Sequence, residues 1–169
     1  QTMAEMIPVC GDEAVEAVAS LARTTWERHY TPIIGAAQVR YMLEKFQSAA
    51  AIRDQISKGY AYYLIVDEGV RAGYFALVPG ASDGRMMLSK VYVLAEGQGR
   101  GLGRAVIAFA EKRCAEAGCQ TLWLTVNKHN VRSIGFYERL GFERESAVVS
   151  DIGGGFVMDD YVMAKRARA

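Results

Sequence analysis

The apolar spacing of this chain changes character at Tyr60, and that change constrains the fold more than any other feature. Upstream, a short apolar start from Met6 to Cys10 precedes Asp12, which can cap a helix, and then Val15, Val18, Ala19, Ala22, Trp26 and His29 fall at three- and four-residue steps. The spacing predicts an amphipathic helix ending near Pro32. The same period recurs through Val39, Met42, Leu43 and Phe46, and again through Ile52 and Ile56 until Gly59 stops it. Helices therefore occupy the chain before its first long strand.

Downstream the pattern is that of a sheet. Tyr60 to Val66 is aromatic and β-branched, Asp67-Glu68-Gly69 is a turn, and Val70 to Val78 continues the strand pattern with Gly73 inside it. Asp83-Gly84 turns the chain into Met86 to Leu94, which runs into a glycine cluster. Leu102, Val106, Phe109, Ala110, Cys114 and Ala117 form one face of a long helix closed by Gly118, and Thr121 to Val126 reads as a fully apolar strand suited to a sheet centre. Asn130 caps a further helix to Leu140, which Gly141 ends. Phe142 to Ile152, Gly153-Gly154-Gly155 and Phe156 to Ala164 make a closing hairpin. An antiparallel meander, one crossover, a helix and a hairpin give an α+β fold around a mixed, mostly antiparallel sheet.

Composition narrows the function classes. A chain of 169 residues suits one domain, expected over residues 1–169, and 51% apolar residues exclude a disordered main state. Twenty Lys and Arg against 19 Asp and Glu leave a net charge of +1, too even for an electrostatic footprint on nucleic acid or a membrane surface. The longest wholly apolar run, Tyr60 to Val66, is far below the roughly 18–20 residues of a membrane span. With no basic-then-apolar leader pattern, a cytoplasmic address is expected. Cys10, Cys114 and Cys119 are odd in number and lack CxxC spacing, so we expect buried or partly buried free thiols, without a disulfide framework or a metal site.

The glycine cluster Gln98-Gly99-Arg100-Gly101-Leu102-Gly103 joins a strand to a helix. Unobstructed backbone N–H groups at the positive end of a helix suit a pyrophosphate, and Arg100 and Arg104 add positive charge beside them. A purely structural tight turn has the same residues. A Walker loop would end in Gly-Lys-Ser/Thr, which is absent, and a Rossmann fingerprint would follow the first strand of a parallel sheet with different glycine spacing.

Gln98 to Gly103 resembles the Gln/Arg-x-x-Gly-x-Gly/Ala motif of the GNAT superfamily of acyl-CoA-dependent N-acyltransferases. Asn130-Val-Arg-Ser133-Ile-Gly-Phe136-Tyr137-Glu-Arg-Leu-Gly141-Phe142 is similar to the second signature of that family, in the right order and at compatible spacing. The resemblance implies a GNAT-like fold with helices on both faces of the sheet and acetyl-CoA as co-substrate. It places CoA between the Val91–Val93 strand and the Thr121–Val126 strand, with its pyrophosphate at Gln98, Gly99, Arg100, Gly101, Leu102, Gly103 and Arg104.

By the same resemblance, backbone groups of Val91, Tyr92 and Val93 pair with the pantetheine arm and polarise the thioester carbonyl, a role an ordinary buried strand would leave no trace of. Tyr137 corresponds to the tyrosine that protonates the departing sulfur. A phenol of reference pKa about 10 keeps its proton at neutral pH and can give it to a thiolate of reference pKa about 8.5. A tyrosine packed on a helix face is the alternative. Asn130, Ser133 and Phe136 join the cofactor-binding set, although Asn130 is equally explained as a helix cap and Phe136 as a packing residue. Gly135, costly inside a helix by about 1 kcal/mol, points to a close approach by cofactor or sheet.

The acceptor amine needs a base, and here the chain departs from the family: Ser89 and Lys90 stand where polyamine-acetylating relatives can place a carboxylate. Glu27, His29, Tyr30 and Tyr92 are the alternatives. Asp159, Asp160 and Tyr161, with Trp26 to Tyr30, loosely resemble the PaiA-type spermidine/spermine acetyltransferase branch, and acidic groups beside aromatic rings suit a polycation. A strand edge and a core would explain the same residues. The expected partner is a small-molecule amine, with a homodimer left open. Acetylation of a protein or peptide amine, and a non-catalytic acyl-CoA-binding module, are the competing readings.

Overall fold

The computed structural model describes residues 4–80, 83–94 and 97–167. Its elements are β1 (Glu5–Pro8), α1 (Asp12–Ile34), α2 (Ala36–Gln47), α3 (Ala49–Ser57), β2 (Ala61–Asp67), β3 (Val70–Pro79), β4 (Arg85–Val93), α4 (Leu102–Glu116), β5 (Thr121–Asn127), α5 (Val131–Arg139), β6 (Glu143–Gly153) and β7 (Phe156–Arg166). The strands form a seven-stranded sheet in the order β1-β2-β3-β4-β5-β7-β6. β4 and β5 pair in parallel, as expected across a strand-helix-strand crossover, whereas β1–β2, β2–β3, β5–β7 and β6–β7 are antiparallel. The mixed, mostly antiparallel α+β architecture expected from the sequence is the one observed.

The chain divides into two compact units, Gln1–Val78 with Lys90–Ala108, and Pro79–Ser89 with Phe109–Ala169. In the first, Tyr62–Ile65 and Ala72–Leu77 are buried without interruption, so β2 and β3 are covered on both faces. Gln47 at the end of α2 is buried among tyrosines on one face. Its Nε2 donates to Tyr62 Oη at 3.1 Å, while Tyr74 Oη donates to its Oε1 at 2.5 Å. Trp26 Nε1 on α1 donates to Tyr74 Oη at 3.1 Å. These bonds satisfy polar groups that burial would otherwise leave costly.

In the second unit, β5 alternates. Leu122, Leu124 and Val126 are buried, while Thr121, Trp123, Thr125 and Asn127 on the opposite face are half-buried. The expectation of a strand buried on both faces is therefore corrected, because one face of this central strand lacks full cover. β6 and β7 meet in a two-residue turn at Gly154-Gly155, both at positive φ (63° and 80°), the geometry that suits the twist of a hairpin and favours glycine. Lys165 Nζ on β7 donates to Leu140 O (2.7 Å) at the end of α5 and to Glu111 Oε1 (3.1 Å) on α4.

Several local expectations are also corrected. The Met6–Cys10 start contributes β1, whose ladder to β2 depends on residues some sixty positions away in sequence, beyond the reach of local pattern. The position before α1 is Gly11, at φ 83°, with no side-chain cap; Asp12 lies in the first turn, and its Oδ1 accepts from Arg53 Nε at 3.0 Å instead. α1 continues through Pro32 to Ile34, since so little helix remains beyond the proline that few bonds are lost. Phe109 is half-buried and Ala117 exposed at the α4 end. Cys10 is exposed; Cys114 is buried and Cys119 half-buried. Among the described residues no helix is long and apolar enough to cross a membrane.

Candidate active site

The first unit carries the glycine turn. Gly73 lets β3 and β4 approach closely, since a Cβ there would stand 2.1 Å from Tyr92 O, and Leu94 N donates to Ala72 O at 2.8 Å. The parallel ladder joins Arg85–Met87 to Thr121–Trp123, so the backbone of Val91, Tyr92 and Val93 takes no part in it. Gln98 reaches back to donate from Nε2 to Val93 O at 3.3 Å. Gly99 and Gly101 adopt φ of 81° and 78°, and among the described residues a Cβ on either would meet no atom within 4 Å. Side chains are disfavoured there by backbone conformation, and the space above the turn is open to a ligand.

α4 begins directly after this turn, and Ala105 N donates to Gly101 O at 3.0 Å as its first intrahelical bond. Leu102 is buried and anchors the first turn in the core; Gly103 is half-buried and Arg104 exposed. Arg100 is not the mobile cation its sequence position suggests. Its Nε lies 2.6 Å from Asp67 Oδ2 and its Nη2 2.9 Å from Glu68 Oε2, and these carboxylates raise its pKa above the ordinary guanidinium value. Asp67, the last residue of β2, is a residue sequence reading missed, because nothing local marks it as the partner of a residue 33 positions on.

Around Tyr92 the side chains form an aromatic cluster. Its ring centroid lies 5.3 Å from Trp26, 5.4 Å from Tyr74 and 5.9 Å from Tyr30, with Tyr30 Oη 3.5 Å from Tyr92 Oη. His29 is half-buried against Tyr30 at 4.8 Å, and Glu27 is exposed. Burial pushes the Tyr74 phenol well above its usual range, which keeps it a hydrogen-bonding group. Lys90, half-buried on β4 next to Val91, is brought down to about 8 by desolvation of its ammonium. A lysine inside an apolar strand is the signal that could have marked it.

The second unit carries the other signature. Asn130 is buried, and its Oδ1 accepts from Ser133 N at 3.4 Å, while its own N–H donates to Asn127 O at 3.0 Å. The helix-cap explanation of Asn130 thus holds. Ser133 and Phe136 are half-buried, and the Tyr137 ring sits between Phe136 and Phe142, each 5.5 Å away and edge-on. Gly135 has no crowded neighbour: a Cβ there would meet only Arg139 Nη1, at 3.4 Å. Packing in the described residues gives this helical glycine no reason.

On β7, Asp159 Oδ1 lies 2.8 Å from Lys128 Nζ. Asp160 is 6% exposed, and burial, with the adjacent Asp159 charge, pushes its carboxyl up to about 6 against the opposing pull of Lys128. Tyr161 receives the Arg144 guanidinium over its ring at 4.6 Å.

Residues 18–142 match the family described as the acetyltransferase (GNAT) family. An uncharacterised N-acetyltransferase of Lactobacillus delbrueckii subsp. lactis is 32% identical over 101 residues, which cover 56% of this chain and 58% of that protein. Another, from Mycobacterium tuberculosis, is 26% identical over 149 residues, covering 88% of this chain and 94% of that protein. Among solved structures, the PaiA N-acetyltransferase of Thermoplasma acidophilum in complex with coenzyme A superposes with a TM-score of 0.78 at 21% identity, covering 96% of this chain and 98% of that one. A variant of spermidine N-acetyltransferase SpeG from Vibrio cholerae superposes at 0.69 with 15% identity, covering 97% and 94%. At such identities these structures establish the shared fold.

Proposed function

Because the chain belongs to the GNAT acetyltransferase family, we propose that it moves an acetyl group from acetyl-CoA to a primary amine of a small molecule by direct attack in a ternary complex. The neutral amine nitrogen bonds to the acetyl carbon, the carbon–sulfur bond breaks, the sulfur leaves with the electron pair, and the proton the nitrogen sheds passes to water, from which the tyrosine phenol is reprotonated. Acetyl-CoA supplies the activated acyl group, and the rest of the work falls to this chain's own residues. Backbone groups of Val91, Tyr92 and Val93 hold the thioester arm. Gln98–Arg104 receives the pyrophosphate at the start of α4, where helix N–H groups lack intrahelical partners. Tyr137 gives its phenolic proton to the departing sulfur.

The observation that carries this reading is the turn at Gly99 and Gly101, left-handed and open above, leading straight into α4. The spermidine specificity of a protein with the same fold favours a small cationic amine among acceptors. A thiol-release assay with acetyl-CoA against polyamines, monoamines, amino acids, aminoglycosides and peptides tests it. We expect turnover with at least one small amine; turnover with peptides alone, or CoA binding with no turnover on any acceptor, would replace the reading.

A further inference from the structure

α4 ends in a motif whose backbone decides which two side chains meet. Gly118, at φ 77°, follows the helix in the left-handed region. Its N–H donates to Ala115 O at 3.0 Å, and the N–H of Cys119 donates to Cys114 O at 2.9 Å. This pair of bonds satisfies the last carbonyls of the helix and brings the residue just past the glycine against the one five positions before it. The contact between those two side chains is ordinarily apolar. Here both positions are cysteine, held as free thiols.

The two thiols differ in access. Cys114 is fully buried, its Sγ donating to Thr121 O at 3.6 Å at the start of β5, whereas Cys119 is half-buried. The Cys119 thiol lies within hydrogen-bonding reach of the Cys114 sulfur, and burial above all pushes the Cys114 thiol up to about 11. The interior thiol is therefore protonated and shielded, and the outer one meets solutes first. The third cysteine, Cys10, is exposed and precedes α1, outside the motif. Acetyl transfer as proposed above uses neither thiol of the pair.

We propose that Cys114 and Cys119 are a redox-responsive dithiol that closes to an intramolecular disulfide in exchange with a low-molecular-weight disulfide. Cys119, after losing its proton to water, attacks one sulfur of that disulfide; a mixed disulfide forms, and the other sulfur leaves with the electron pair and takes up a proton. Cys114 then gives its proton to water as its sulfur attacks Cys119 Sγ, and the second small thiol departs with the bonding electrons and is protonated from water. Two protein thiols are oxidised, and one external disulfide is reduced to two thiols. The ring spans only the helix end and its glycine turn, so closure removes little chain entropy and the bridge is a weak global staple. It acts locally, replacing the Cys114 bond to Thr121 O with a covalent link across the turn that leads into β5.

Incubation of the full chain with oxidised glutathione, followed by alkylation of the remaining thiols and tryptic mass mapping, tests this. Cleavage after Arg113 and Lys128 leaves both cysteines in one peptide, so the bridge reads as the loss of two hydrogens there. We expect that loss in wild type and in Cys10→Ser, reversed by dithiothreitol. Cys114→Ser should stop at a glutathione adduct on Cys119, and Cys119→Ser should leave Cys114 unmodified. If Cys114→Ser does not fold, the wild-type peptide alone decides between closed ring and adduct. A lasting glutathione adduct on Cys119 in wild type, or no reaction of either thiol until the chain is denatured, would overturn the proposal. Disulfides formed only through Cys10 would overturn it too.

Discussion

Arg100 Nε stands 2.6 Å from Asp67 Oδ2, so the glycine turn at the head of α4 is tied to the end of β2. The second arm of the guanidinium reaches Glu68, a planar fork that lysine lacks. The pair holds in place a loop whose two glycines would otherwise leave it wide conformational freedom.

If Arg100 acts as that tether, Asp67→Asn and Arg100→Lys should each weaken acetyl-CoA binding by about three- to tenfold through lost preorganisation. The double variant should be no worse than the weaker single, because both remove one interaction. Calorimetric titration with CoA measures this. Tighter binding in Asp67→Asn would instead show that Asp67 competes with phosphate for the guanidinium.

Gly135 has room for a methyl group, and alanine is the better helix former by about 1 kcal/mol. Gly135→Ala should raise the melting temperature of the free protein by about 2–4 °C. If a ligand approaches the helix there, the same variant should bind CoA more weakly. Unchanged affinity with increased stability would mean the glycine serves no ligand.

Tyr137→Phe keeps the ring between Phe136 and Phe142 and removes only the hydroxyl. Turnover should fall by about 10- to 10⁴-fold with CoA affinity nearly unchanged. Single-turnover rates at saturating substrate make the comparison, and a wild-type chemical rate would remove the proton-donor role.

Asp160 also makes stability depend on pH. Its carboxyl is raised from 3.8 to about 6 in the folded chain, so between those values the native state binds the extra proton and the unfolded state does not. The favourable contribution is complete below the unfolded value and is lost as pH rises through about 6, a difference of up to roughly 3 kcal/mol. Denaturant unfolding should therefore find Asp160→Asn more stable than wild type at pH 7.5, with the gap closing by pH 4. A gap constant across that range would mean the aspartate is not desolvated.

What could be read in the sequence was what local chemistry fixes. The left-handed conformations of Gly99 and Gly101, the Asn130 cap over Ser133 and the strand-turn-helix around them are decided by residues within a few positions of one another, so a motif can carry them. The order and type of most elements followed equally from the period of their apolar residues. Tertiary structure decided what depends on distant partners. It assigned Arg100 to Asp67, made Glu5–Pro8 a strand by pairing it with β2, and left one face of β5 half-covered when its composition reads as buried throughout. Above all, it separated Asp159 from Asp160. In sequence they are identical neighbours; in the fold Asp159 stands 2.8 Å from Lys128 Nζ while Asp160 is buried, because desolvation and pairing depend on what surrounds a side chain in space.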